Sequence, residues 1–396
     1  MQSIDLPTLA YLADVPVENS YHGSALLYRL LQGYPREKLC IVEPSPWRSR
    51  PDRRLEGIDY RPFPIGWGRL LNSRFARVYG SLVLQRAPAR AQRLDKVLEG
   101  FSPAAVLTVA HGYSWLTAAE YARSKNLPLH LILHDDWLTS VVALKTVQKK
   151  ASQMFARYYT YAASRLCVSP GMAKRYQDFY GVSGEVLYPI RAHDSPVAIE
   201  PVTRVRTNGF VVGYAGTVNG EGYVRLLCSM ASALREIGGT LLIYGPLTKE
   251  RARQIGLDAD NIIVRGLVSS ERLIVRLREE ADILFVPMSF SATDRVNMEL
   301  SFPSKLTDYT AVGLPLLING PPYCSAIAWG KQNPRSAILV DKNDERVVAD
   351  TVRSLAQQPN WRRELGAGAL AAGERCFSFQ ILSRQFEDAL RHTTKD

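Results

Sequence analysis

The sequence of 396 residues is 46% hydrophobic and 22% charged, which is typical of a folded globular protein and excludes collagen-like, low-complexity and disordered chains. Because a domain usually holds roughly 100–200 residues, we expect two domains. The excess positive charge lies in the first half, where residues 1–195 hold 25 Lys and Arg against 16 Asp and Glu, whereas 196–396 hold 24 against 22.

Short apolar runs alternate with helical patterns along the first half of the chain. The runs cover 8–13, 38–44, 104–110, 129–134, 164–169 and 184–189, and helical patterns between them cover 23–34, 115–126 and 172–181. Buried strands that alternate with helices are typical of a parallel sheet covered on both faces. We therefore predict a doubly wound α/β domain over residues 1–190.

Residues 48–96 form a basic segment that also contains aromatic and aliphatic side chains. The segment holds 12 basic and 4 acidic residues, and such a mixture can attract a nucleic acid, an anionic membrane or an acidic substrate. Its part GWGRLLNSRFARVYGSLVL (66–84) has the composition of a helix at a membrane interface, but it equally fits a solvated helix over the sheet. Because we recognise no nucleic-acid-binding module, we expect no nucleic-acid partner.

Polar residues follow three of the predicted strands in the first half. Gly23 opens the helix after the first strand, His111 follows 104–110, and His134 and Asp135 follow the next strand. A lone histidine is usually structural, but histidines and carboxylates at neighbouring strand ends can share one cleft. The coincidence of these loops therefore favours a functional site there.

The second half repeats the same alternation after a change in pattern. Residues 191–207 lack periodicity and contain two prolines, so we interpret them as a linker. Apolar runs then cover 210–216, 240–246, 261–267, 282–288, 314–320 and 336–341. These runs predict a second doubly wound domain over 208–375, followed by an amphipathic helix within 376–396. In such folds ligands bind at the carboxyl ends of the strands, here in the cleft between the domains.

The segment SFPSKLTDYTAVGLP (301–315) predicts a helix of about ten residues. Pro303 and its neighbour Ser304 mark its start, and Gly313 marks its end. Lys305 and Asp308 then share one helix face, where a lysine beside helix amides suits a phosphate and an aspartate suits sugar hydroxyls. The alternative is a packing helix with a solvated lysine.

Two further strand ends carry weaker signals. Gly216 and Thr217 lie in a glycine-containing turn that lets backbone amides approach a ligand, or that serves only the turn. Arg265 ends a strand and is either a diphosphate contact or a surface arginine. P-loop, H-E-x-x-H, G-x-S-x-G and complete G-x-G-x-x-G motifs are absent from the sequence, which disfavours hydrolases, kinases and ordinary dehydrogenases.

Several segments resemble the GT-B glycosyltransferases, specifically glycosyltransferase family 4. They are YAGTVNGEG (214–222), NIIVRGLV (261–268), DILFVPMS (282–289), FPSKLTDYTAVGLPLL (302–317) and AAVLTVAHGYSWLTAAEYARSKNLPLHLILHD (104–135). The resemblance implies two tandem Rossmann-like domains that face each other across a cleft. It also implies a nucleotide-sugar donor on the second domain, a saccharide or lipid-linked acceptor on the first, and transfer with retention without a cofactor or a metal.

The resemblance assigns roles to individual positions. It implies that Lys305 binds the donor phosphates and Asp308 the ribose. The implied donor-binding positions are Gly23, Gly216, Thr217, Arg265, Glu299, Ser304, Lys305 and Asp308, and the implied catalytic positions are His111 and Asp135. The family often has a glutamate eight positions before the second acidic residue, but here that position is Leu300, with Glu299 beside it. The basic residues usual after the GT turn are also missing before Arg225.

Two alternatives remain on the same fold: a catalytically silent protein that binds sugar nucleotides, and a sugar-nucleotide epimerase. The five cysteines are scattered, the N-terminus lacks the basic region of a signal peptide, and no apolar run approaches the roughly 18 residues of a membrane span. We therefore expect a cytoplasmic enzyme. If 48–96 is a membrane contact and not a solvated face, the enzyme works at the inner face of a membrane. The resemblance also implies that the C-terminal helix returns to the first domain.

Overall fold

The computed structural model describes residues 6–20, 22–45, 47–66, 68–207, 209–218 and 220–392. They form two compact units. The first unit contains the described residues up to His193 together with those from Phe379 onward, and the second unit contains Asp194–Ser378.

The first unit is a parallel sheet with helices. Its strands are β1 (Leu9–Leu12), β2 (Leu39–Ser45), β3 (Asp59–Pro64), β4 (Ala105–Val109), β5 (Leu129–Leu133), β6 (Ser164–Cys167) and β7 (Glu185–Val186). Its helices are α1 (His22–Leu31), α2 (Gly68–Leu71), α3 (Ala76–Gln85), α4 (Ala87–Ala91), α5 (Leu94–Val97), α6 (Ser114–Ser124), α7 (Trp137–Ser140), α8 (Lys145–Tyr161), α9 (Pro170–Tyr180) and α18 (Phe379–Leu390). The strand order is β3-β2-β1-β4-β5-β6-β7.

Apolar composition explains which segments become central strands. Every residue of β4 and β5 is buried, since helices cover both faces of a parallel sheet. Strand β3, which the apolar pattern did not predict, contains Pro62 and Pro64 and has mostly exposed or half-buried residues. It lies at the edge of the sheet, where a proline breaks no central ladder of hydrogen bonds.

The second unit has the same plan. Its strands are β8 (Val211–Ala215), β9 (Thr240–Tyr244), β10 (Ile262–Gly266), β11 (Ile283–Pro287), β12 (Leu316–Asn319) and β13 (Ala337–Val340). Its helices are α10 (Glu221–Arg235), α11 (Lys249–Gln254), α12 (Ser270–Glu280), α13 (Arg295–Leu300), α14 (Lys305–Tyr309), α15 (Ser325–Gln332), α16 (Glu345–Gln357) and α17 (Pro359–Phe377). Its parallel strands follow the order β10-β9-β8-β11-β12-β13.

Both sheets place their first and fourth strands side by side. In unit one β1 pairs with β4, and in unit two β8 pairs with β11. The chain therefore winds outward in both directions from this pair, which is the switch point of a Rossmann-like sheet. The predicted class of two doubly wound α/β domains is confirmed.

Two segments differ from the sequence prediction. The helix predicted within 301–315 contains only the five residues of α14. At the end of α14 the backbone hydrogen bonds span three residues instead of four, since the amides of Ala311 and Val312 donate to the carbonyls of Asp308 and Tyr309. The stretch 66–84 forms two helices, α2 and α3, instead of one. Its Trp67 lies outside the described residues.

The ends of the second unit show how the chain enters and leaves it. Residues of the predicted linker bond to this unit, since the amides of Ala198 and Val202 donate to the carbonyls of Ala311 and Gly313 at 2.8 and 2.9 Å. Helix α18 packs into the core of the first unit through Leu382, Phe386 and Leu390, which matches its apolar stripe.

Among the helices of the described ranges, none combines the length and apolar composition that a membrane span requires.

Candidate functional site

Gly216 directly follows strand β8 on the carboxyl edge of the second sheet. Gly216 has a φ of +142°, and its amide donates to the carbonyl of Tyr244 at 2.9 Å. A Cβ added to Gly216 would lie 3.4 Å from Nζ of Lys305 and 3.5 Å from the hydroxyl of Tyr214. The structure thus brings together Gly216 and Lys305, two residues that the sequence predicts to bind the same ligand.

Lys305 is half-buried, and its ammonium lies at this edge. Its Nζ lies 4.1 Å from the ring centroid of Tyr214, a cation–π contact with a buried aromatic ring. Burial lowers the pKa of Lys305 to about 7, without a compensating carboxylate among the described residues. A cation in this condition is a ready site for an anionic group.

The short helix α14 is fixed to the strand by Tyr309. The amide of Ala215 donates to the Tyr309 hydroxyl at 2.5 Å, and that hydroxyl donates to the Ala215 carbonyl at 3.3 Å. Tyr309 is fully buried, and Tyr214 donates to the Thr217 carbonyl at 2.5 Å. These bonds hold Lys305 at the strand end even though α14 is too short to offer a strong helix dipole.

Three other predicted donor-binding residues, Glu299, Ser304 and Asp308, lie within six positions of Lys305 and differ in how exposed they are. Ser304 precedes α14 and is exposed, but its side chain makes no capping hydrogen bond. Asp308 and Glu299 are half-buried, and Leu300 is fully buried. Leu300 is therefore a core residue, which leaves Glu299 as the acidic side chain of α13.

Arg265 lies on β10, two strands away from β8. Its guanidinium forms an ion pair with Glu280 of α12 at 3.1 Å, and its side chain is 46% exposed. Glu280 also pairs with Arg276 at 3.2 Å. The structure therefore gives Arg265 a partner along α12 and does not place its guanidinium against Gly216 or Lys305.

The first unit has a buried carboxylate at its own switch point. Asp14 follows β1, and its carboxylate accepts hydrogen bonds from the amides of Tyr113 and Ser114 and from the Ser114 hydroxyl. Burial raises the pKa of Asp14, and these hydrogen bonds oppose that shift. Gly112 has a φ of +60°, and a Cβ there would lie 2.1 Å from Asp14 Oδ2. The β4–α6 turn is therefore built around this carboxylate.

The predicted polar loops of the first unit come close together. A Cβ added to Gly23 would lie 4.0 Å from Nδ1 of His134. Burial lowers the pKa of His134 to about 4; the neighbouring Asp135 opposes this shift and His111 adds to it. The structure thus places Gly23, His111 and Asp135 around His134. Asp136, the next residue, is buried and accepts a hydrogen bond from Tyr176 at 2.8 Å.

His111 is exposed and lines a cavity of about 200 Å³. The cavity is lined by Asp14, Trp47, Leu71, Asn72, His111, Gly112, Tyr113, Ser140, Val141 and Val142. The indole N–H of Trp47 is buried without a hydrogen-bond partner among the described residues. A wall that combines an aromatic ring, a histidine and an amide suits a sugar-like polar ligand.

Sequence reasoning missed three residues that build these sites. They are Asp14, Tyr214 and Tyr309. Asp14 directly follows an apolar strand, so its position at a strand end was a usable signal. The two tyrosines sit within apolar segments and resemble ordinary core residues. No group of three or more His, Cys, Asp or Glu side chains suited to hold a metal occurs within the described ranges.

Sequence comparison finds no matching protein-family model and no matching curated protein. Structure comparison finds many similar chains. HepE from Anabaena, in complex with UDP and glucose, has a TM-score of 0.63 at 12% identity, covering 97% of this chain and 99% of that chain. Sucrose-phosphate synthase from Thermosynechococcus elongatus has a TM-score of 0.66 at 15% identity, covering 97% and 98%. The chain has the GT-B fold.

A third GT-B structure extends the comparison. WaaG, a glycosyltransferase involved in lipopolysaccharide biosynthesis, has a TM-score of 0.63 at 11% identity, covering 97% of this chain and 99% of that chain. Each similarity spans nearly the whole of both chains. At these identities the similarity establishes the GT-B architecture, and the predicted resemblance is confirmed at that level.

Proposed function

We propose that this protein is a glycosyltransferase that moves a sugar from a nucleotide-sugar donor to a saccharide or glycolipid acceptor. The observation that carries the proposal is Lys305, whose buried ammonium lies beside Gly216 at the switch point of a GT-B unit. Ligands of such sheets bind at the carboxyl end of the strands. An anionic nucleotide diphosphate fits this position best.

Binding of a diphosphate would resolve the electrostatic cost of burying Lys305. Burial lowers the pKa of Lys305 to about 7, so the protein around it disfavours the charged form. A phosphate oxygen at hydrogen-bond distance favours the ammonium form and raises the pKa again. Gly216 supports the proposal, because a side chain there would occupy space next to Nζ. Asp308 would then accept hydrogen bonds from the ribose, and Glu299 from the donor sugar.

The remaining predicted donor residues have smaller roles in this proposal. Thr217 and Ser304 flank the diphosphate, and the role of Gly23 as a donor contact stays a prediction from the resemblance. Arg265 is proposed as a contact to the base or diphosphate only after release from Glu280, with which it is paired. Lys305 then carries most of the charge compensation in the absence of basic residues after the GT turn.

The chemistry proposed is transfer with retention. The bond between the anomeric carbon and the phosphate oxygen breaks, a bond to the acceptor oxygen forms on the same face, and the acceptor proton passes to the leaving diphosphate. His111 and Asp135 position the sugar and the acceptor hydroxyl. This scheme needs no protein nucleophile and no metal, because Lys305 stabilises the charge that develops on the leaving group.

The acceptor side of the proposal rests on the first unit. The cavity beside His111 has aromatic, amide and hydroxyl groups and suits a saccharide. We propose that the acceptor belongs to polysaccharide or glycoconjugate biosynthesis and that the enzyme works in the cytoplasm at a membrane face.

A nucleotide screen tests the function. The unfolding midpoint is measured with UDP, GDP, dTDP and ADP and their sugars, each with and without EDTA. One nucleotide should raise the midpoint clearly, since a ligand at about 100 times its Kd adds about 2.7 kcal/mol to the free energy of unfolding. EDTA should not change that shift. If no nucleotide raises the midpoint, the donor assignment is wrong.

Turnover separates the enzyme from a silent binding protein. The nucleotide sugar that binds best is incubated with lipid extracts and with oligosaccharides, and release of the free nucleotide is measured. Binding without release for any acceptor would favour the silent protein. A change of the sugar's configuration on the nucleotide, without transfer, would favour an epimerase.

A further inference from the structure

Helix α3 carries an exposed apolar stripe. Phe75, Val78 and Leu82 lie three and four positions apart, so they share one face, and each is 47–52% exposed. The opposite side of α3 is buried through Gly80, Ser81, Val83 and Leu84. A stripe of large apolar side chains directed to solvent is uncommon on a globular protein and marks an interaction surface.

A second segment continues this stripe. Val142 and Leu144 are 44% and 37% exposed. The amide of Leu144 donates to Ser81 Oγ at 2.9 Å, and a Cβ on Gly80 would meet the Val142 carbonyl at 2.1 Å. The loop before α8 therefore lies directly against α3. We define the α3–α8 face as the five apolar side chains Phe75, Val78, Leu82, Val142 and Leu144 with the basic residues around them.

The two sequence segments that carry these side chains have charged residues of one sign only. Residues 60–94 contain seven basic residues and no acidic residue, and 137–177 also contain seven and none. The exposed basic side chains of the face are Arg74, Arg77, Arg86, Lys145, Lys149 and Lys150. Arg74 lies over the Phe75 ring at 4.8 Å. A partner for this face must accept apolar side chains and supply many negative charges together.

We propose that the α3–α8 face docks the protein on an anionic lipid bilayer. Phe75, Val78 and Leu82 enter the boundary between headgroups and acyl chains, and the arginines and lysines contact lipid phosphates. An acidic protein would supply the charge but would need a matching apolar groove. A second copy of this chain would bring two surfaces of the same sign together, which repels.

The position of the face connects docking to the acceptor cavity. Leu71, Asn72 and Val142 line the cavity beside His111, and Val142 is also part of the α3–α8 face. A lipid-linked acceptor could therefore present its sugar to the cavity while its lipid stays in the bilayer. This second step rests on the proposed function, whereas docking itself does not.

Vesicle flotation with the full chain tests the docking. The vesicles are phosphatidylcholine alone or with about 30% phosphatidylglycerol, and NaCl is varied from about 0.1 to about 0.5 M. The wild type should float with the anionic vesicles, bind the neutral ones at least about tenfold more weakly, and be released by salt. Equal binding to both vesicles, or no binding to either, would overturn the proposal.

Two triple variants and one matched control assign the binding to the face. Both Phe75→Ser/Val78→Ser/Leu82→Ser and Lys145→Gln/Lys149→Gln/Lys150→Gln should lower the vesicle affinity about tenfold or more. The control Phe179→Ser removes a 70% exposed phenylalanine that also has an arginine, Arg175, over its ring. It should bind as the wild type does, and equal losses in all three variants would contradict a specific face.

The same samples separate this proposal from the proposed function. The nucleotide-dependent rise of the unfolding midpoint should be unchanged in all variants, because none of them replaces a residue proposed to bind the donor. Loss of vesicle binding with an intact nucleotide shift supports docking whatever the reaction is. Sedimentation velocity without lipid completes the test, since a dimer that the apolar triple variant dissolves would show that the face binds a second copy instead.

Discussion

The two units place charged groups of opposite sign beside their switch points. In the first unit Asp14 follows the first strand, and its carboxylate is satisfied by two backbone amides and a hydroxyl of the β4–α6 turn. In the second unit Lys305 belongs to α14, after the fourth strand, and its ammonium contacts the ring of Tyr214 on the first strand. The Asp14 carboxylate holds a turn of the first unit in place. The Lys305 ammonium has no compensating carboxylate among the described residues.

This difference separates a structural charge from a binding charge. A buried ion whose hydrogen bonds are complete stabilises the turn that surrounds it. A buried ion without a counter-charge destabilises the empty protein and gains free energy when an anion arrives. We therefore expect changes at Asp14 to lower stability without affecting nucleotide affinity. Changes at Lys305 should lower nucleotide affinity and raise the stability of the ligand-free protein.

Replacing Lys305 should have the largest effect on nucleotide affinity. Lys305→Met keeps the length of the side chain without the charge, so affinity for the best nucleotide should fall at least about 100-fold. The same variant should raise the unfolding midpoint of the ligand-free protein, because it removes a desolvated charge. Calorimetric titration and thermal unfolding measure the two effects.

Lys249→Met is the control, because Lys249 is an exposed lysine of the same unit on α11. It should change neither quantity. If Lys305→Met bound nucleotide as the wild type does, Lys305 would be a structural lysine and the contrast between the units would disappear.

The pH dependence of nucleotide affinity should be the next largest effect. The free pKa of Lys305 is about 7, so the charged form is the main species below that pH and becomes rarer above it. Between pH 7 and 9, affinity should fall by up to about tenfold per pH unit, and binding should take up a proton. Titrations in buffers of different ionisation enthalpy measure that uptake.

Stability of the ligand-free protein should change in the opposite direction. The folded pKa of Lys305 lies below its unfolded value, so the unfolded chain binds more protons between pH 7 and about 10.5. The contribution of Lys305 therefore becomes more favourable as pH rises through this window. The stabilising effect of Lys305→Met should shrink accordingly, and an effect constant from pH 7 to 10 would contradict the assigned pKa.

Gly216→Ala should have an intermediate effect. A side chain at a φ of +142° costs about 1–3 kcal/mol, and its Cβ would lie 3.4 Å from Lys305 Nζ. Nucleotide affinity should fall about tenfold through displacement of Lys305 or the phosphate. The control is Gly256→Ala, where φ is +77° with open space around the added carbon, so only stability should drop.

The sheets could be predicted from sequence because their central strands are buried on both faces. The apolar runs 104–110 and 129–134 contain β4 and β5 with an error of at most one residue at each end. Edge strand β3 was missed, since its alternating exposure and two prolines do not form such a run. The length of helix α14 was overestimated. Residues such as Pro303 and Gly313 mark where a segment begins and ends, but they do not show how many of its residues make helical hydrogen bonds.

The candidate site was predictable only in part. Lys305 and Gly216 were singled out from the local sequence, the resemblance to GT-B enzymes assigned them to the donor, and their proximity required the structure. The role of Asp14 depends on the amides of residues about 100 positions later in the chain, which no local pattern shows. The α3–α8 face likewise depends on a hydrogen bond between Ser81 and Leu144, which are 63 positions apart. The sequence analysis therefore did not include the apolar residues Val142 and Leu144 in this surface.

Asp14→Ala should have the smallest effect on nucleotide affinity and a clear effect on stability. The change leaves the amides of Tyr113 and Ser114 without their acceptor in a buried turn, which should cost about 2–3 kcal/mol of unfolding free energy. Asp14→Asn should cost less, because its amide oxygen can still accept from both N–H groups. Denaturant unfolding measures the loss, and calorimetric titration should show wild-type nucleotide affinity for both variants.

The two Asp14 variants complete the comparison between the units. Because Asp14 lies in the first unit and its oxygens are already bonded, its removal loosens the β4–α6 turn without exposing a site for anions. A drop in nucleotide affinity as large as that of Lys305→Met would mean that Asp14 acts on the donor, and the distinction between a structural and a binding charge would be wrong. Wild-type affinity together with lower stability would show that the charge beside the switch point is structural in the first unit and binds a ligand in the second.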